Sequence, residues 1–72
     1  MEIKIGFVNN PRELQINSDR QQDEVAEELR GALAGDGPFE IGDDKGHRWV
    51  LRPDTIAYVE LGSSAPRKVG FA

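Results

Sequence analysis

The chain contains no cysteine among its 72 residues and only one histidine. Disulfides are therefore excluded, and a structural zinc site would be without its usual ligands. The absence of cysteine suits a reducing compartment. No segment approaches the roughly 20 consecutive apolar residues of a membrane span, and Glu2 and Lys4 interrupt the apolar residues at the N-terminus at once. The expectation is a soluble, cytoplasmic protein with no membrane association. Internal repeats, low-complexity tracts and linkers are absent.

Signatures of chemistry are missing as well. Gly35-Asp36-Gly37-Pro38 follows an expected helix, whereas a phosphate loop needs amide groups at a helix start. Ser63 and Ser64 have no base near them in sequence. The run Asp43-Asp44-Lys45-Gly46-His47 brings two carboxylates near an imidazole, a set able to hold a divalent ion or move a proton. Asp and Gly are also what a tight hairpin turn selects, and the turn is the expected role. No enzymatic activity, cofactor or metal is expected.

What is present is one small domain over residues 1–72. A chain of this size buries about 60% of its unfolded surface and gains roughly 3–5 kcal/mol from a single core. Without disulfides or metal, oligomerisation is the remaining support unless the core alone suffices. Ile3, Ile5 and Phe7 alternate with polar or small neighbours, which predicts a strand over residues 2–8. Asn9-Asn10-Pro11 is turn chemistry, and Leu14 and Ile16 alternate with Glu13, Gln15 and Asn17 in a second strand. Between Ser18 and Gly35 the period changes. Val25, Leu29 and Leu33 recur at helical spacing beside Ala26 and Ala32. Ser18, Asp19 or Gln21 can start this helix, Gly35 or Gly37 ends it, and its first half is acidic, as the positive end of the dipole favours. Phe39 and Ile41 begin a third strand. A turn at residues 43–46 leads to a fourth, with Trp49 and Leu51 on one side and Val50 on the other. Pro53-Asp54 turns the chain into a fifth strand over Ile56 to Leu61, and Arg67 to Ala72 forms a tail able to add an edge strand.

These elements, in the order ββαβββ, predict an α+β fold. Its expected form is a mixed, mainly antiparallel sheet of five strands, six with the tail, carrying one helix on one face.

With that arrangement the sequence resembles a family of small actinobacterial proteins of unknown function, a domain of about 70 residues. The residues that carry the likeness are Met1-Glu2-Ile3-Lys4-Ile5-Gly6, Asp23-Glu24-Val25-Ala26, Ile56-Ala57-Tyr58-Val59-Glu60 and Arg67-Lys68-Val69-Gly70-Phe71. The resemblance implies no activity, ligand or catalytic residue. Residues 1–33 are also similar to the opening hairpin and helix of ubiquitin-like β-grasp proteins. The chain lacks their Gly-Gly tail, since it reads Gly70-Phe71-Ala72, so conjugation chemistry is not implied. A right-handed crossover after the helix gives strand order 2-1-3-4-5, and the β-grasp order 2-1-5-4-3 is the alternative.

The fifth strand reads apolar on both sides, with Ile56 and Tyr58 facing one way and Ala57, Val59 and Leu61 the other. Either the C-terminal tail, through Val69 and Phe71, or a partner chain should cover the second side. Charge is unevenly placed within a net −4. Residues 19–44 hold nine acidic against two basic side chains, and residues 45–72 hold five basic against two acidic. The expected function is that of a non-catalytic module acting through protein contacts, as a homodimer or an accessory subunit. The alternative is weak binding of nucleic acid or nucleotide on a basic and aromatic strand surface, which the net negative charge opposes. The candidate interaction surface is Arg48, Trp49, Arg52, Tyr58, Val59 and Leu61.

Overall fold

Alternation of Ile3, Ile5 and Phe7 with polar residues produces β1 over Glu2–Phe7, as seen in a computed structural model that describes residues 1–62. β1 pairs antiparallel with β2 (Asn10–Asn17) through a tight connection, with Ile3 opposite Ile16 and Ile5 opposite Leu14. The register slips after Gly6, where Pro11 and Arg12 fall outside the regular pairing, as a residue without an N–H requires. The end of this hairpin is closed by Ser18. Its N–H donates to the Met1 carbonyl at 2.9 Å, and its own carbonyl accepts from the N-terminal ammonium at 2.8 Å.

The helix α1 spans Gln22–Ala34, shorter than the 18–35 segment that carries its periodicity. Gln21 occupies the N-cap position without a side-chain bond, while the Ser18 hydroxyl accepts from the Arg20 amide at 3.1 Å. Ser18 therefore ends the hairpin and shapes the link, and does not cap the helix. Arg20 runs back along α1 to Glu24 at 3.2 Å and Glu28 at 2.7 Å, which offsets the crowding of carboxylates there. Gly35 is the C-cap.

After α1, β3 (Phe39–Gly42) and β4 (Arg48–Leu51) form an antiparallel hairpin, and a 3-10 turn at Pro53–Thr55 leads into β5 (Ile56–Leu61). β5 pairs antiparallel with β1, Val59 lying opposite Ile5 and Leu61 opposite Ile3. The buried core consists of Ile3, Ile5, Ile16, Val25, Leu29 and Ile41, with Met1, Phe7, Leu14, Phe39, Trp49, Leu51, Ile56, Val59 and Leu61 packed around it.

The α+β class, the single helix and the element order match the reading of the sequence, but the single mixed sheet does not. The described strands make two sheets, β2-β1-β5 and β3-β4, and every pairing is antiparallel. The order 2-1-3-4-5 is not formed, while the alternative 2-1-5-4-3 is matched in its β2-β1-β5 and β4-β3 neighbours but broken between β5 and β4. The reason lies in two competing contacts. β5 takes the free side of β1, where its apolar residues face Ile3 and Ile5, and the short β3-β4 hairpin buries Ile41 against the core from elsewhere. One backbone link, from the Asp44 amide to the Asn17 carbonyl at 2.9 Å, ties that hairpin to the end of β2. The expected edge strand over Arg67 to Ala72 lies outside the described residues.

A bulge accounts for the apparent two-sided apolarity of β5. Tyr58 lies opposite Gly6 and Ile56 opposite Phe7, so Ala57 is an extra residue in the ladder. The insertion returns Ile56 to the same face as Val59 and Leu61, and leaves Ala57 exposed. The face turned away from α1 is consequently polar. It carries Lys4 between Gln15 and Glu60, and Gly6 between Glu13 and Tyr58.

Candidate functional site

Helical spacing puts Ala26, Leu29, Arg30 and Leu33 on one flank of α1, and strand alternation puts Val59 and Leu61 on the helix side of β5. Together they line an open groove of about 250 Å³. The β3-β4 hairpin cannot fill it, because it docks on the opposite flank of α1. There Ile41, Gly42 and Asp43 share a cavity of about 200 Å³ with Ile3, Val25 and Glu28. Leu33, which the helical period assigns to the core, is 37% exposed at the rim of the groove.

The groove runs beside a strand edge. The Gly62 N–H donates to the Glu2 carbonyl at 2.8 Å. In an antiparallel ladder bonding alternates along the strand, so Tyr58 and Glu60 turn their backbone groups toward β1, and Val59 and Leu61 turn theirs outward. Among the described residues, no strand pairs with β5 on that outer side. One outward group has a partner: the Gln22 side-chain amide donates to the Leu61 carbonyl at 3.3 Å and to the Gly62 carbonyl at 2.9 Å. That contact fixes the end of β5 to the start of α1.

On the far face of the sheet, Tyr58 lies flat over Gly6. A Cβ at residue 6 would overlap the Tyr58 ring. The Tyr58 hydroxyl donates to the Glu13 carboxylate, and that bond, followed by burial, raises its pKa above the ordinary 10.0.

The other candidates are dispersed. Trp49 is half-buried against the core on the helix side, while Tyr58 faces away from α1, so the two rings do not form one platform. Arg48 pairs with Glu40 at 3.5 Å and Arg52 with Asp54 at 3.4 Å, both exposed. Of the six residues singled out from sequence, only Val59 and Leu61 meet at one place. Ala26, Leu29, Arg30 and Leu33 complete that place. Their only signal is a helical period that reads equally well as core.

The Asp43–His47 run forms a hairpin turn. One Asp43 oxygen accepts from the amides of Lys45 at 2.9 Å and His47 at 2.7 Å, and the other meets the His47 ring nitrogen at 2.9 Å. Gly46 has φ 91°, a conformation that favours glycine. Burial opposes ionisation of Asp43, but these hydrogen bonds outweigh it and hold the carboxyl below its ordinary 3.8. Both oxygens are thus committed to the turn. Among the described residues, no group of three or more His, Asp or Glu side chains is arranged to hold a metal ion. None of the described helices is long and apolar enough to cross a membrane.

A family model for proteins of unknown function, DUF3107, matches residues 1–72, and the chain belongs to that family. No curated protein matches it.

Proposed function

We propose that this DUF3107 chain is a non-catalytic module that works through protein contacts, using the edge of β5 and the α1/β5 groove as its contact surface. The observation that carries the reading is the coincidence of two features that no described strand covers. Outward backbone groups on β5 lie directly beside the apolar groove lined by Leu33, Val59 and Leu61. Edge strands invite pairing with another chain, and an apolar strip beside such an edge adds burial to main-chain bonding. Nucleic-acid binding has less support, because Arg48 and Arg52 are each paired with a carboxylate and Trp49 and Tyr58 face different surroundings.

The test is the size of the assembly that the chain forms in native cell extract, compared with Leu33→Lys. Leu33 is exposed, so a charge there leaves the core intact. The reading expects wild type to migrate above the mass of one chain and the variant to fall back toward it. Equal migration of the two proteins would refute it.

A further inference from the structure

We infer that the α1/β5 surface is regulated by the chain itself: residues 67–71 cover it in the free protein as an antiparallel strand beside β5, and a partner takes the surface by displacing them. The inference rests on the contact-module reading above and names the regulation of that surface. Residues 67–71 lie outside the described residues, and the assignment comes from their sequence set against the geometry of β5. β5 runs to Leu61, and the Gly62 N–H still bonds to β1, donating to the Glu2 carbonyl at 2.8 Å. Gly62-Ser63-Ser64-Ala65-Pro66 is five residues of turn-forming composition, a length that joins neighbouring antiparallel strands. A segment tethered this closely meets the edge at high effective concentration, an advantage that no separate molecule shares.

Side-chain chemistry selects one register. Residues directly opposite in an antiparallel pair share a face. In Arg67-Lys68-Val69-Gly70-Phe71, the phase that turns Val69 and Phe71 toward α1 puts apolar side chains over the groove of Leu33, Val59 and Leu61. The other phase would put Lys68 there. With Val69 opposite Val59, Lys68 lies opposite Glu60, the only charged side chain on β5, and Gly70 lies opposite Tyr58, as Gly6 does on β1. Opposite charges facing each other stabilise a strand pair. A slip of two residues in either direction sets Pro66 or Gly70 against Glu60 and loses the ion pair.

The edge suits a short strand and no more. The bulge at Ala57 interrupts it at one end, and Gln22 holds the Leu61 and Gly62 carbonyls at the other. Between them, both backbone groups of Val59 and the N–H of Leu61 point outward, and the Leu61 carbonyl keeps its second lone pair. Pairing centred on Val69 uses these groups. So few main-chain bonds leave the strand exchangeable for a partner's, as a displaceable cover requires.

The experiment reads amide hydrogen exchange at Val59 in the purified full chain. Protection should be independent of protein concentration. Val69→Lys should speed exchange at Val59 about tenfold with β1 amides and circular dichroism unchanged, and should raise the share of chain in the larger assembly in native extract. Lys68→Glu should speed it about threefold, an effect that should vanish in a Glu60→Gln background, as a double-mutant cycle reads. The same rate in wild type and Val69→Lys would overturn the inference, as would protection that grows with concentration, which belongs to a second copy. An equal effect of Lys68→Glu in both backgrounds overturns it too, because another register or another segment then covers the edge. The Leu33→Lys comparison fails or succeeds separately. If it fails while Val69→Lys speeds exchange, residues 67–71 are a fixed strand of the sheet, and the contact-module reading falls together with the regulation. If it succeeds while Val69→Lys changes nothing, the contact surface stands without this cover.

Discussion

Leu29 shows how much a single side chain carries in a domain this small. It is buried between α1 and the sheet and also forms the floor of the groove. Leu29→Ala should cost about 2–5 kcal/mol, read as a lower denaturant midpoint. An unchanged midpoint would remove α1 from the core. Gly6 is the second sensitive position, because the Tyr58 ring occupies the space of its absent side chain. Gly6→Ala should displace the ring from Glu13 at a cost of about 1–3 kcal/mol. The penalty should shrink in a Tyr58→Ala background, a coupling that a double-mutant cycle measures. No sequence pattern announces this pair, since Gly6 reads as an ordinary alternate residue and its partner is set by the β1-β5 register. Asp43 provides a pH signature. Its carboxyl titrates below 3.8 in the folded chain, so its contribution to stability is present above that value and is lost as pH falls through the lowered one. Asp43→Asn should flatten this acid limb of an unfolding titration. A wild-type limb that persists in the variant would assign it to other carboxylates.

At the scale of elements, the hairpins and the helix were legible because each buries one face at a regular period. Trp49 and Leu51 are half-buried and Val50 is 65% exposed, as alternation requires. Two local events hid the rest. The extra residue Ala57 reverses the facing of Ile56, so strict alternation along β5 suggests a second apolar side where none exists. Ile41 sits in a strand of only four residues, too short for its pattern to say which surface it buries. Its burial docks the β3-β4 hairpin together with the half-buried Phe39, Trp49 and Leu51. Ile41→Ala should therefore cost about 2–5 kcal/mol and speed amide exchange in β3 and β4 more than in β1. Equal acceleration across both sheets would mean that the hairpin unfolds only with the whole domain. The groove follows from the same arrangement, because a hairpin placed on one flank of α1 leaves the other flank uncovered among the described residues.

For the whole molecule, the proposed assembly depends on apolar contact and main-chain bonds, not on the acidic middle and basic C-terminal third of the chain. Association should therefore survive at 1 M salt, where the Debye length has shrunk to about 3 Å. Head-to-tail pairing of charge would weaken under those conditions, and sedimentation at two salt concentrations distinguishes the two. The groove proposed as the contact surface was only partly legible in the sequence. Val59 and Leu61 stood out through the apolarity of β5, whereas Leu33 was hidden in a helical stripe that fits a buried face equally well. The most direct measurement is a nuclear Overhauser experiment on the isotopically labelled full chain, repeated on an equal mixture of labelled and unlabelled chains to separate contacts within a chain from contacts between copies. The account predicts contacts from the Val59 methyls to those of Val69 within one chain. Contacts from Val59 to Val69 only between copies, or none between these two residues, would contradict it.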